Sequence, residues 1–285
     1  MMKRILFVLT AVLLAACTTN ESEEMVNGQS SMVNDTTEVT LTFSPYEQSP
    51  MSRMTRAASS ITNYCTHLDV WIVNGSDVID VHQSSGEGFG SVSVTLDKTK
   101  TYQLFAVAHK CASDATLADG VISFPDDKVT HSMFYKTTFT PSTTTSLNCV
   151  MERIVAQFRI ETTDAIPDEA KKVQITINDV FDRWNVSTGG THSLNRTSVL
   201  NIGNKNQDGS AIFNVYAIVT NAQTMHSVTV AFVDENDDVV ITPRTFENVP
   251  LRNGFKTTYR GAIKDLGVGA TFMVDDMQEY DVITF

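Results

Sequence analysis

The chain has 285 residues, of which 42% are apolar and 8% aromatic, enough to bury a sizeable core. Lys+Arg number 21 against 33 Asp+Glu, a net charge of −12. Such an acidic surface repels phosphate backbones, which excludes nucleic acid as a partner. Only 19% of residues are charged and Gly+Pro is 14 + 7 = 21, which excludes a coiled coil, a collagen-like repeat or wholesale disorder.

Met1-Met2-Lys3-Arg4 is a short basic start, followed by the apolar run Ile5–Leu14 and then Leu14-Ala15-Ala16-Cys17. The pattern predicts a signal peptide over residues 1–16, too short to span a bilayer comfortably. The small residues before Cys17 read as a bacterial lipobox, with the Cys17 thiol as the lipidation site. Losing Lys3 and Arg4 would leave the mature chain at 19 − 33 = −14. Residues 17–37 are polar and acidic and read as a flexible tether. Within it, Asp35-Thr36-Thr37 matches a short O-glycosylation motif.

Alternation begins at Glu38. Val39-Thr40-Leu41-Thr42-Phe43 has apolar residues at every second position, the period of a half-buried strand. Pro45 and Pro50 close that strand, and a Ser/Met/Thr-rich segment with Arg53 and Arg56 follows. Strands are predicted over 68–73, 90–96, 101–108, 131–139 and 146–150, separated by turn residues such as Asn74-Gly75 and Asp119-Gly120. A second series covers 155–160, 173–177, 211–216, 228–233, 239–241, 256–261 and 271–274. The segments 228–233 and 239–241 read as a hairpin about Asp234–Asp238. No window sustains a 3.6-residue period, so the fold is mainly β, and many short strands suggest sandwiches. The boundary falls near 149–153, giving an N-terminal β-sandwich over 38–150 and a C-terminal one over 151–285.

Catalytic patterns are missing: there is no phosphate-binding glycine loop, Gly-x-Ser-x-Gly elbow or His-Glu-x-x-His. The reading is not an enzyme, with no cofactor and no metal. Cys65-Thr66-His67 and His109-Lys110-Cys111 would form a zinc-like set if two strand ends met. In an exported chain, one disulfide among Cys65, Cys111 and Cys149, or three buried thiols, is the simpler reading. The acidic tip at 234–238 lacks the ligand spacing of a calcium loop. His82, His131, His192 and His226 are scattered singly and read as ordinary surface or strand residues.

Several segments in order resemble the fimbrillin-like lipoproteins of the Bacteroidales, the type V pilus subunits. They are the lipobox and tether, the strand at 39–43, Met54-Thr55-Arg56-Ala57, Leu68–Val73, Met151-Glu152-Arg153-Ile154-Val155-Ala156, and Val249–Gly261 with Arg252-Asn253. The resemblance implies two tandem transthyretin-like β-sandwich domains behind a lipid anchor in the outer membrane, facing the cell surface. It implies a structural subunit, tip or anchor whose partners are other fimbrial subunits. Assembly would be by strand exchange after arginine-specific cleavage at Arg53 or Arg56, with strand 39–43 as the removable plug. The final segment Asp281-Val282-Ile283-Thr284-Phe285 would be a candidate donor. The alternative is a stand-alone surface lipoprotein that binds glycan or host protein.

Overall fold

A computed structural model describes residues 35–46, 60–203, 205–263 and 272–277. The described residues fall in one compact unit. The fold is mainly β, with two sandwich cores and a third apolar cluster between them.

The first core lies under β1 (Thr36–Pro45), β2 (His67–Asn74), β3 (Asp77–Ser84), β4 (Ser91–Asp97), β5 (Tyr102–His109), β8 (Met133–Phe139) and β9 (Ser146–Arg153). The strand order is β3-β2-β5-β8-β9-β1-β4. One face is β3-β2-β5-β8 and the other β9-β1-β4; Met133 and Phe134 pair with Arg153 and Glu152 to join them. Alternation explains the packing. Val39, Leu41 and Phe43 of β1 meet Leu68, Val70 and Ile72 of β2 and Leu104, Ala106 and Ala108 of β5 in one cluster. The intervening residues Trp71 and Val107 belong instead to the third cluster, so β2 and β5 are covered on both faces. That is why both are rich in apolar residues on both faces, with Asp69 the buried polar exception on β2.

Between β5 and β8 the chain makes a small hairpin, β6 (Thr116–Ala118) with β7 (Val121–Ser123). Beyond β9 come β10 (Ala156–Thr162), β11 (Lys172–Asn185), β12 (Gly189–Asn201), β13 (Ile212–Ala217), β14 (Thr224–Val233), β15 (Val239–Leu251), β16 (Phe255–Gly261) and β17 (Phe272–Asp276). One sheet is β13-β10-β16-β17 and the other β15-β14-β11-β7-β6, with β12 added along β11. Their core is aromatic at its centre, where Phe246 lies 4.8 Å from Tyr259 and 6.4 Å from Phe158, ring centre to ring centre.

β11 joins the two cores. Its first half pairs with β14, the register shifts between Ile177 and Val180, and Asp179 takes a positive φ of 56°. Past that bulge, Arg183–Asn185 pair with Ser123–Val121 of β7. Trp184 and Ile122 thus sit opposite each other inside the third cluster, with Trp71, Phe124, Phe134 and Ile218. Lys136 Nζ on β8 donates to the carbonyl of Val186, 2.9 Å away.

The predicted hairpin is present: Val233 pairs with Val239, and the Asp234 carboxylate accepts the N–H groups of Asn236 and Asp238 at 2.8 and 2.9 Å. Four strands escaped the sequence reading. β3 and β12 are edge strands with mostly exposed or half-exposed side chains, so neither carries strong apolar alternation; β6 and β7 are three residues each. The tether also ends earlier than expected. Thr36 and Thr37 are in β1, paired with Asp97 and Leu96, so the Asp35-Thr36-Thr37 motif abuts a sheet and is not part of a free linker.

Candidate strand-exchange site

β1 is an interior strand. It runs antiparallel to β4 from Thr36↔Asp97 to Thr42↔Ser91 and parallel to β9 from Thr40↔Ser146 to Pro45↔Met151. Further backbone bonds seal its C-terminal end: Phe43 N–H donates to Gly90 O (2.8 Å) and Tyr46 N–H to Met151 O (2.7 Å). Gly90 holds a φ of 90°, and a Cβ there would come within 2.9 Å of Ile61, so glycine is required for this close approach. Val39, Leu41 and Phe43 are at most 4% exposed. Burying side chains of this size is worth roughly 1.5–3 kcal/mol each.

A capped turn follows the Arg53/Arg56 segment. Ser60 caps a short 3-10 turn (Ile61–Asn63) by accepting the Thr62 N–H, while Ile61 and Tyr64 are buried in the first core. Both sides of the Arg53/Arg56 segment are therefore anchored. Arg53, Arg56, Cys17 and the 281–285 segment themselves lie outside the described residues.

The cysteines form neither the disulfide nor the zinc set. All three are buried and free. The strand ends that carry Cys65-His67 and His109-Cys111 do meet: His67 pairs with His109 in register, and their rings stack 5.4 Å apart. The sulfurs turn elsewhere, Cys111 to the carbonyl of Lys128 at 3.3 Å and Cys65 to that of His131 at 3.9 Å. Burial pushes the Cys65 thiol far up and the Cys149 thiol up to about 12.

Two of the histidines read as ordinary prove to be parts of polar clusters. His131 is buried; its ring stacks on Tyr64 (5.2 Å) and meets the edge of Tyr216 (5.9 Å). Arg153 Nε donates to His131 Nε2 at 3.2 Å while its guanidinium covers Tyr64. That leaves the ring proton on Nδ1, which has no partner. Burial, then the charges of Arg153 and Lys110, lower the pKa of His131 to about 3.

His82 belongs to the second cluster. Asp69, wholly buried on β2, accepts from Ala115 N–H (3.0 Å) and His109 Nε2 (2.8 Å) through Oδ2. The Cys111 N–H donates to His109 Nδ1, which assigns the His109 proton to Nε2 and aims it at Asp69. Asp69 Oδ1 lies 2.5 Å from His82 Nδ1, and His82 Nε2 is 3.0 Å from Asp80 Oδ1. Burial opposes charge on His82, but the Asp69 hydrogen bond with Asp80, Asp69 and Asp114 charges outweighs it and raises its pKa. Only the Asp69–His82 neighbourhood of β2 and β3 could have hinted at this, and spacing alone does not reveal a cross-strand pair.

No protein-family model matches the chain, and no curated protein matches it. Solved structures similar in fold include a candidate cell adhesion protein of Bacteroides uniformis, with 16% identity, 86% of this chain and 100% of that one covered, and a TM-score of 0.47. A candidate adhesin of Bacteroides thetaiotaomicron has 9% identity, coverage of 84% and 95%, and a TM-score of 0.49. The fimbrial anchor protein of Porphyromonas gingivalis has 10% identity, coverage of 83% and 94%, and a TM-score of 0.45.

Proposed function

We propose that the chain is a structural, non-enzymatic subunit of a surface fimbria, lipid-anchored through Cys17, that assembles by exchange of its first strand. The observation that carries the reading is the position of β1: it fills the gap between β4 and β9, yet it is the first strand among the described residues. A cut after Arg53 or Arg56 would leave β1 held by hydrogen bonds and apolar contact alone. Its departure would expose the unpaired edges of β4 and β9 and the sites of Val39, Leu41 and Phe43. A strand with apolar residues at alternate positions would satisfy both, and the candidate is 281–285 of a neighbouring subunit, in which Ile283 and Phe285 are two residues apart. On this reading the two sandwiches act as a rigid unit, because β11 runs from the second core into the third cluster, which also takes in Trp71 of β2 and Val107 of β5. An anchor would keep its lipid and its first strand; a stalk subunit would lose both.

The test is digestion of residues 18–285 with an arginine-specific protease, followed by mass spectrometry and sizing. The expected result is a single cut after Arg53 or Arg56, loss of β1 and the appearance of oligomers. Arg53→Ala with Arg56→Ala should abolish all three. A chain that resists at both arginines and stays monomeric would sink the processed-subunit reading and leave an uncleaved anchor or a stand-alone lipoprotein binding glycan or host protein.

A further inference from the structure

The Asp69 cluster lies apart from β1 and has the build of a metal centre. One potential ligand atom from each of Asp69, His82 and Asp114, two carboxylate oxygens and an imidazole nitrogen, lies within 4.8 Å of the other two. Three elements supply them: β2, β3 and the loop after β5. The loop is pinned on either side of Asp114, by Cys111 N–H on His109 Nδ1 and by Ala115 N–H on Asp69 Oδ2. Asp69 cannot swing away, because its second oxygen is engaged twice and the residue is wholly buried.

The ring of His82 is oriented from behind. Asp80 Oδ1 is 3.0 Å from Nε2, and Asp80 and His82 share a face of β3, two residues apart. A carboxylate on the far ring nitrogen holds a proton there, so that loss of the proton between Nδ1 and Asp69 Oδ1 would leave the Nδ1 lone pair beside Asp69, the arrangement that outer-shell carboxylates impose on metal-binding histidines. Three carboxylates surround one imidazole at this point, so negative charge is in surplus. One nitrogen with two carboxylates suits a zinc-class ion with water at the open position, whereas calcium and magnesium favour oxygen-only shells.

We propose that Asp69, His82 and Asp114 bind one divalent transition-metal ion, with Asp80 and His109 orienting the ligands. The ion would tie the edge strand β3 and the post-β5 loop to β2, and binding would displace the proton shared by His82 and Asp69.

The experiment is a titration of the untagged chain, purified in detergent and stripped with a chelator, with cobalt(II) and with zinc, read by visible absorption and calorimetry. One equivalent of cobalt is expected, with an oxygen/nitrogen-type spectrum. His82→Gln and Asp114→Asn should each abolish saturation at one equivalent, and Asp80→Asn should weaken binding roughly 10–100-fold, as outer-shell losses do. Asp114 is exposed, so Asp114→Asn should unfold at the same temperature as the metal-free parent. Asp208→Asn, on a distant loop, should bind like the parent. Failure to bind cobalt, unchanged binding in His82→Gln, or tighter binding of calcium than of cobalt would overturn the proposal. A sulfur-to-cobalt charge-transfer band, which would assign the ion to the cysteines, would overturn it as well. None of these outcomes bears on cleavage or oligomer formation, so this site and the strand-exchange reading fail separately.

Discussion

β1 and β10 occupy the same place in their respective sheets but are connected to the chain in opposite ways. Each is an interior strand, antiparallel to one neighbour (β4 or β13) and parallel to a later one (β9 or β16). β1 leads into the Arg53/Arg56 segment. β10 is reached directly from β9 through Ile154 and Val155, both buried, whose backbones bond to Ser132 and Gly254. An arginine precedes β10 too, but Arg153 is paired within β9, hydrogen-bonded to His131 and laid over Tyr64. The link into β10 is buried, whereas the segment that follows β1 and carries Arg53 and Arg56 lies outside the described residues.

The sharpest way to break this comparison is proteolysis. Cutting at Arg153 requires the junction to open. If that opening costs about 5 kcal/mol, the bond should be cut at least a thousandfold more slowly than in the unfolded chain. A digest of the folded protein with fragments ending at Arg153, in yield comparable to those ending at Arg53 or Arg56, would end the argument.

Core truncations come next. Phe158→Ala on β10 should cost about 3–5 kcal/mol in urea unfolding, in intact and arginine-cut protein alike. Leu41→Ala on β1 should cost about 2–5 kcal/mol in the intact chain and nothing once the cut strand has been removed. Equal penalties for Leu41→Ala before and after removal would mean that β1 never leaves.

Acid should act on the junction between the two cores. His131 has a folded pKa of about 3, below its ordinary value near 6.5, so the unfolded chain binds the proton first. The contribution is complete above pH 6.5 and is lost as pH falls from there toward 3, by up to about 1.4 kcal/mol per pH unit. The groups facing the ring are Arg153, Lys110, Tyr64 and Tyr216, with Cys65 on its carbonyl. His131→Gln should flatten the urea midpoint between pH 6 and 4.5 relative to the parent. An unchanged slope would assign the acid sensitivity to carboxylates elsewhere.

Lys136→Met should have the smallest effect, about 1 kcal/mol, because it removes one hydrogen bond to Val186 and keeps the aliphatic stem. A second unfolding transition in that variant would show that the bond, and not the β7–β11 pairing, couples the halves.

Much of this fold was legible because strand alternation is local. Val39, Leu41 and Phe43 announce a buried face without reference to any partner, and Asp234–Asp238 announce a turn. β3 and β12 were hidden for the same reason in reverse, since an edge strand that buries little needs no apolar period. The pairing that places β1 between β4 and β9, and the crossing of β11 onto β7, depend on contacts between residues far apart in the chain. The clusters around His131 and Asp69 arise in the same way: single histidines acquire their chemistry from carboxylates, rings and an arginine on other strands. The sequence by itself determined a mainly β chain, its apolar faces and its turns. Only the tertiary structure decided which strands pair, that β1 lies between β4 and β9, and which polar side chains meet, because pairing is a property of two strands and neither encodes it alone.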